Sequence, residues 1–284
     1  MNINLAKADD ALFAVYQTMY SNADTNMSYD WNSRLGDTKP WADRGYFLFL
    51  DGKKIGGAII TDDYIRFPFL ISPYCDRVQF WHCLLKLSPR KSLLGMLDED
   101  VYILPMFGYK NMGSRQAMRR PADIIEIALP DGFICRPLNM DTDAVEVGNG
   151  YVEGHTGGIC FEKYGAETQD EAVAETMRVL GVYNAKDMSI VIVEQATSKI
   201  VGVCTAGIGK HHVFGYSEIA DLIVLPQYQG MGLGKYMISH IVTQTYGLAP
   251  FVNMYVDTGN TSEYLYRQMG FIPGPRLTSM ERRN

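Results

Sequence analysis

"PQYQGMGLGKYM", residues Pro226–Met237, contains three glycines that alternate with other residues directly before a segment of helical periodicity. Glycine is unfavourable at the start of a helix unless the backbone needs a positive φ or approaches a ligand closely. The dinucleotide fingerprint G-x-G-x-x-G fails here, because its third glycine would fall on Lys235 or Met237. The P-loop pattern G-x-x-x-x-G-K-[ST] also fails, since Gln229 replaces its first glycine and Tyr236 its hydroxyl residue.

The pattern that remains, Q-x-x-G-x-G over residues 229–234, exposes backbone N–H groups at a helix N-terminus. Without Cβ atoms to obstruct them, these groups would meet an anion at the positive end of the helix dipole, an arrangement that suits a pyrophosphate. The alternative is a glycine-rich helix start that only relieves packing. The candidate phosphate-binding residues are Gln229, Gly230, Met231, Gly232, Leu233, Gly234 and Lys235.

The elements around this loop repeat a plan from the first half of the chain. "YFLFLDGKKIGGAIIT" (Tyr46–Thr61) and "MSIVIVEQATSKIVGVCTAGI" (Met188–Ile208) each predict two strands joined by a polar turn. Each predicted hairpin is followed by an apolar strand that ends near a proline, Pro73 or Pro226, and then by a helical pattern. We therefore predict an internal duplication.

The last segments of the two halves match as well. Gly108-Tyr109 is followed nine residues later by Met118, and Gly270-Phe271 is followed nine residues later by Met280. These landmarks predict two domains, residues 1–130 and residues 131–284.

"VDTGNTSEYLYRQMGF" (Val256–Phe271) and the glycine loop together resemble the GCN5-related N-acetyltransferases, the GNAT superfamily. The resemblance covers about residues 185–284. It implies an α/β (α+β) chain of two acyl-CoA N-acyltransferase (GNAT)-like domains, each a mixed, mostly antiparallel twisted sheet flanked by helices. The first copy is expected to be degenerate and to bind no CoA, because no glycine follows Pro73 and side chains such as Arg77 and Phe80 would block a phosphate.

The resemblance also implies which residues contact acetyl-CoA. The loop N–H groups would hold the diphosphate, and the preceding strand, with Leu222, Ile223 and Val224, would pair with the pantetheine arm. An N–H of Ile223 or Val224 would polarise the thioester carbonyl. The asparagine of the family usually lies seven residues before its tyrosine, where this chain has Gly259, so the contact expected from Asn260 is left open.

Two catalytic roles follow from the same resemblance. Tyr266 would protonate the departing thiolate, the alternative being an aromatic residue that packs on the core. An amine nucleophile must lose a proton, and Glu218, at the start of "SEIADLIV", is the candidate base, the alternative being an exposed carboxylate at a strand end. Asp221, three residues later, is predicted to point to the other face of the strand.

Composition limits the possible partners. Residues 1–130 carry 15 basic and 15 acidic side chains, so the net charge of −6 lies entirely in residues 131–284. This argues against nucleic-acid binding and is compatible with a cationic or amine substrate, or simply with a solvated acidic surface. No apolar run reaches the roughly 18 residues of a membrane span.

Location and metal content are predicted from the same sequence. The N-terminus "MNINLAKADD" does not resemble a signal peptide, and the five cysteines form no CxxC pair, so we expect a reduced, cytoplasmic protein. His211-His212 lacks further metal ligands, and His155 is expected in a glycine-rich loop, so no metal is predicted.

The sequence thus predicts transfer of acetyl from acetyl-CoA to a primary amine by direct attack in a ternary complex. The acceptor could be a polyamine, an aminoglycoside-like compound, an amino acid or a protein amine, and the acidic half favours a cationic small molecule. A homodimer is compatible with this interpretation. The alternatives are a non-catalytic acyl-CoA-binding or regulatory module, and a transferase for a larger acyl donor.

Overall fold

A computed structural model of the protein describes residues 2–21, 39–156, 159, 168–182, 188–208 and 216–282. The chain divides into two compact units, Met1–Ala117 with Gly274–Asn284, and Met118–Pro273. The strands are β1 (Ile3–Lys7), β2 (Gly45–Leu50), β3 (Lys53–Ile60), β4 (Tyr64–Leu70), β5 (Ser92–Met96), β6 (Tyr109–Pro121), β7 (Phe133–Pro137), β8 (Ile190–Glu194), β9 (Ile200–Ile208), β10 (Ser217–Val224), β11 (Phe251–Asp257) and β12 (Ile272–Arg282). The α-helices are α1 (Asp10–Tyr20), α2 (Arg77–Leu87), α3 (Asp98–Val101), α4 (Met140–His155), α5 (Gln169–Val182), α6 (Leu233–Thr245) and α7 (Ser262–Gln268).

The first unit is a mixed sheet in the order β1-β2-β3-β4-β5-β12-β6. Strands β1 to β4 pair antiparallel, and β5 lies parallel to β4 after the chain crosses over through α2. The predicted β2–β3 hairpin is confirmed, with Asp51 and Gly52 at φ of +47° and +80°, the conformation that a tight two-residue turn requires. Helix α2 buries Trp81 and Leu84 completely against this sheet.

The second unit repeats this order of elements. Its sheet runs β6-β11-β10-β9-β8-β7, with β7 to β10 antiparallel and β11 parallel to β10 after the crossover through α6. The residues of β8 alternate between two cores: Ile190 and Ile192 pack with α6, whereas Val191 and Val193 pack with α4 and α5. Helices therefore cover both faces of a mostly antiparallel sheet, as predicted.

The last strands of the two halves, β6 and β12, do not each stay within one compact unit. Strand β6 enters the second unit at Met118, which is fully buried in the core beside α6. Strand β12 returns to the first unit, where Met280 is buried in the core beside α2 and pairs with Leu93 of β5. The compact units change at Met118 and at Gly274, because the first unit keeps residues 109–117 of β6 and also contains most of β12. The domain boundary near residue 130 stays a prediction.

Strands β10 and β11 pair over only part of their length. The paired residues are Ser217–Ile219 of β10 and Val252–Met254 of β11, whereas β10 continues to Val224. The second half of β10 therefore lies outside this pairing, directly before the glycine loop. None of the helices in the described parts of the chain is long and apolar enough to cross a membrane.

Candidate active site

The glycine loop adopts a backbone conformation that side chains disfavour. Gly230 and Gly232 have φ of +79° and +88°, a region that costs other residues about 1–2 kcal/mol. A Cβ on Gly230 would meet no atom of the described residues within 4 Å, and one on Gly232 would lie 3.9 Å from Pro130 Cγ. Backbone conformation, rather than crowding, therefore accounts for these two glycines.

Helix α6 begins without a side-chain cap. Gly232 occupies its N-cap position and has no side chain to accept a hydrogen bond from the first turn. Helix α2, the counterpart in the first unit, is capped by Asp76, whose carboxylate accepts from the Gln79 N–H at 2.7 Å. The α6 N-terminus is thus free to receive an external anion, whereas the α2 N-terminus already holds a carboxylate.

The loop, the end of β10 and α7 meet around Gly234. A Cβ on this glycine would lie 3.6 Å from Leu265 Cδ2, 3.8 Å from Leu222 Cδ2 and 3.9 Å from Val224 Cγ2. The structure therefore brings together the strand, loop and helix on which the sequence placed the donor contacts. Ile223 points the other way and is buried in the core beside α4.

The other loop residues either anchor the loop or are exposed to solvent. The Gln229 side-chain amide donates to the Val224 carbonyl at 3.0 Å, which ties the loop to the end of β10. Leu233 is buried in the core, whereas Met231 and Lys235 are exposed. Contacts of these residues with CoA stay predictions.

Tyr266 and Asn260 both lie at α7, with different surroundings. Tyr266 is 8% exposed, and its ring centroid lies 6.4 Å from that of Phe271. The Asn260 carboxamide oxygen accepts from the Ser262 N–H at 2.9 Å, a local turn that starts the helix. Asn260 therefore has a structural role, and the catalytic role of Tyr266 and the cofactor contact of Asn260 stay predictions.

A β-bulge changes the predicted direction of Asp221. Ile219 pairs with Ala206 and Asp221 with Thr205, so that Ala220 is an extra residue in β10. Glu218 pairs with Gly207, two positions from Thr205 on β9. Residues two apart on a strand share a face. Glu218 and Asp221 therefore point to the same face, and the prediction of opposite faces was wrong because the sequence does not reveal the bulge.

The face that carries Asp221 also carries a buried tyrosine of α4. Tyr151 is 4% exposed, and burial together with the negative charge of Asp221 raises its pKa well above the ordinary value. The hydroxyls of Thr205 and Thr176 beside it act in the opposite direction. The Tyr151 hydroxyl is therefore held in its neutral form.

Cysteine and histidine chemistry is limited at this site. Burial, followed by the charge of Asp221, raises the pKa of the Cys204 thiol, so it is a poor nucleophile. His155 lies in the last turn of α4, with its ring 5.8 Å from that of Tyr151, rather than in a loop. His211-His212 lies outside the described residues. Within the described ranges, no group of three His, Cys, Asp or Glu side chains could hold a metal ion.

Comparison with known proteins agrees with this geometry. Residues 186–273 match the family model described as "Acetyltransferase (GNAT) domain". No curated protein matches the sequence. Among solved structures, a GCN5-related N-acetyltransferase from Sphaerobacter thermophilus is 13% identical with a TM-score of 0.70, over 99% of this chain and 95% of the other.

Two further solved structures have the same fold over the full length. A GNAT-family acetyltransferase from Colwellia psychrerythraea is 10% identical, with a TM-score of 0.62 and complete coverage of both chains. A tandem GNAT protein from the clavulanic acid biosynthesis pathway is 14% identical, with a TM-score of 0.58 and 98% coverage of both chains. Residues 186–273 are therefore similar to the GNAT acetyltransferase domain, and the chain as a whole has a fold like that of tandem GNAT proteins.

Proposed function

We propose that the second unit is an N-acetyltransferase that transfers acetyl from acetyl-CoA to a primary amine of a small molecule. This proposal rests on the N-terminus of α6, which has no side-chain cap and follows Gly230 and Gly232, two glycines of positive φ. Such an N-terminus binds phosphate groups through its N–H groups and the helix dipole. The first unit, with Asp76 in the corresponding position, is proposed to bind no CoA.

The reaction is a direct transfer within a ternary complex. The lone pair of the neutral amine attacks the thioester carbonyl carbon and forms the C–N bond. The C–S bond then breaks, and the electron pair leaves on sulfur. One proton passes from the amine to a base, and another passes from an acid to the thiolate, so the products are an amide and CoA. No covalent enzyme intermediate is required, in keeping with the high pKa of Cys204.

Named residues are proposed for each proton and for the carbonyl oxygen. Glu218 accepts the proton from the amine, and Tyr266 donates one to the thiolate. The N–H of Ile223 or Val224 stabilises the developing oxyanion. Tyr266 lies on α7, whose Leu265 approaches Gly234 of the loop, which supports a position near the sulfur.

The experiment is a thiol-release assay with Tyr266→Phe and the control Tyr264→Phe. Tyr264 is 70% exposed on the same helix, whereas Tyr266 is 8% exposed. Loss of a general acid lowers kcat by about 100-fold or more. We expect this for Tyr266→Phe, with little change in acetyl-CoA affinity, and no effect for Tyr264→Phe. An unchanged kcat would contradict the acid role, and loss of folding would assign Tyr266 to core packing. Binding of acetyl-CoA without turnover of any amine would favour a regulatory acyl-CoA-binding module instead.

A further inference from the structure

A cleft of about 410 Å³ lies along α6, on the side covered by residues 125–130. Both ends of this covering segment touch the helix. The Thr243 hydroxyl accepts a hydrogen bond from the Ile125 N–H at 3.0 Å, and Pro130 Cγ lies 3.9 Å from the position of a Cβ on Gly232. The cleft runs between these two ends, and all the residues that line it belong to the second unit.

The covering segment has little slack with which to fill this space. Gly232 and Thr243 are eleven residues apart, which corresponds to about 17 Å along an α-helix. The chain from Ile125 to Pro130 spans at most about 18 Å when it is fully extended. The segment therefore runs almost straight between its two contacts and cannot fold down onto the helix. The cleft is thus held open by the chain that covers it.

A half-buried imidazole on this cleft has no hydrogen-bond partner. The His240 ring of α6 lies 6.1 Å from the Tyr236 ring, but within the described part of the chain it forms no hydrogen bond and no ion pair. Burial lowers the pKa of His240, so the imidazole is neutral at pH 7 and offers one donor and one acceptor. Both groups are available to a ligand in the cleft.

Glu126 sets the charge of the cleft. It is exposed, borders the cleft from the covering segment, and forms no ion pair with any described residue. Among the described residues that line the cleft, it alone is charged when His240 is neutral. The carboxylate attracts a cation and repels phosphates and carboxylates. The cleft therefore differs in its ligand chemistry from the N-terminus of α6, where the phosphate-binding residues are predicted.

The walls of the cleft suit a flat, apolar ring. Tyr236 and His240 present two aromatic rings from α6, and Ile125 and Ile127 present aliphatic side chains from the covering segment. Aromatic side chains stack on flat rings and attract cationic groups held over their faces. A volume of about 410 Å³ falls within the range of small-molecule sites, roughly 300–1,000 Å³.

We infer that this cleft is a second ligand-binding site, for a small flat ring compound that carries a cationic or N–H donor group. The ring packs between the aromatic pair of α6 and the isoleucines of the covering segment. The donor group binds the Glu126 carboxylate, and the His240 imidazole supplies a further hydrogen bond. The inference does not rest on the proposed acetyltransferase function, because none of these residues belongs to the proposed donor or acceptor site.

The test is an NMR titration of the purified protein with benzamidine and with benzoate. Both compounds are flat rings of similar size, and they carry opposite charges at pH 7. Benzamidine is expected to shift the ring proton signals of His240, which are assigned by their loss in His240→Phe. It should also bind at least tenfold more tightly than benzoate, because a charge attraction at about 4 Å is exchanged for a repulsion. Failure of benzamidine to shift these signals, or equal affinity for the two compounds, would overturn the inference.

Charge reversal identifies the group that binds the cation. Glu126→Lys should reverse the preference, so that benzoate binds more tightly than benzamidine. Asp123→Lys is the matched control, because Asp123 lies just before the covering segment, has a side chain 65% exposed and does not line the cleft. This variant should keep the preference for benzamidine. A preference that persists in Glu126→Lys but disappears in Glu218→Gln would overturn the inference, because benzamidine would then occupy the proposed acceptor site. Acetyl-CoA binding is measured separately, so failure here leaves the acetyltransferase proposal intact.

Discussion

Replacing Gly232 with aspartate tests how the loop binds a phosphate. The carboxylate would stand at the N-terminus of α6, where it either occupies the first-turn N–H groups, as Asp76 does in α2, or faces the ligand directly. Two unit charges 4 Å apart repel by about 1 kcal/mol in water, so the two charges of a diphosphate give about 2 kcal/mol. We therefore expect acetyl-CoA affinity to fall by about tenfold to thirtyfold. Calorimetry at low salt measures the change.

A matched variant separates charge from backbone strain. Gly247 follows the C-terminal end of α6, is exposed, and has φ of +81°, close to the +88° of Gly232. In the part of the chain that the structure describes, no atom lies within 4 Å of a Cβ added there. Aspartate at either position should cost about 1–2 kcal/mol of stability, because side chains disfavour this region. Only Gly232→Asp should weaken acetyl-CoA binding. If Gly232→Asp binds acetyl-CoA like wild-type protein, or if Gly247→Asp weakens binding equally, the loop does not hold the diphosphate.

The remaining predictions concern stability. Burial raises the pKa of Asp143, but two hydrogen bonds from the Arg136 guanidinium, at 2.7 and 2.9 Å, help to bring it below the ordinary value. The stability from this carboxylate is therefore complete above a pH of about 4 and is lost as the pH falls through the lowered folded-state pKa. Asp143→Asn should lower the free energy of unfolding by about 2 kcal/mol at pH 7 and by less at pH 3, as measured in urea. A Cβ on Gly154 would lie 2.5 Å from Ile223 Cγ2, so Gly154→Ala should cost about 1–3 kcal/mol, whereas Gly181→Ala, with no atom within 4 Å, should stabilise α5 by about 0.5–1 kcal/mol. If Asp143→Asn lowers the free energy of unfolding equally at pH 7 and pH 3, the ion pair with Arg136 does not account for the stability. If Gly154→Ala and Gly181→Ala have equal effects, crowding at Gly154 is contradicted.

Local patterns were sufficient to predict the elements that position the site. Asp51-Gly52 predicted a hairpin because both residues accept positive φ, and the structure has this turn. The alternating glycines predicted an exposed helix N-terminus, and Gly230 and Gly232 have the required conformation. Each of these features depends on a few adjacent residues, which is why sequence reasoning reached them.

Features that depend on residues distant in sequence were missed. Met118 and Met280 stand at matching positions in similar closing strands, and the sequence did not indicate that β12 would join the first unit. The bulge at Ala220 arises from pairing with β9 and reverses the predicted direction of Asp221. The cleft beside His240 was not recognised either, because it requires residues 125–130 to lie along α6.

The central claim is that one unit of this tandem chain binds acetyl-CoA at an uncapped helix N-terminus and the other does not. Calorimetric titration of the purified protein with acetyl-CoA, with NADH and ATP as controls, tests it most directly. The account predicts one acetyl-CoA per chain and no binding of either control. Two acetyl-CoA per chain would contradict the assignment of Asp76 as a block in the first unit, and no binding would contradict the acetyltransferase proposal itself.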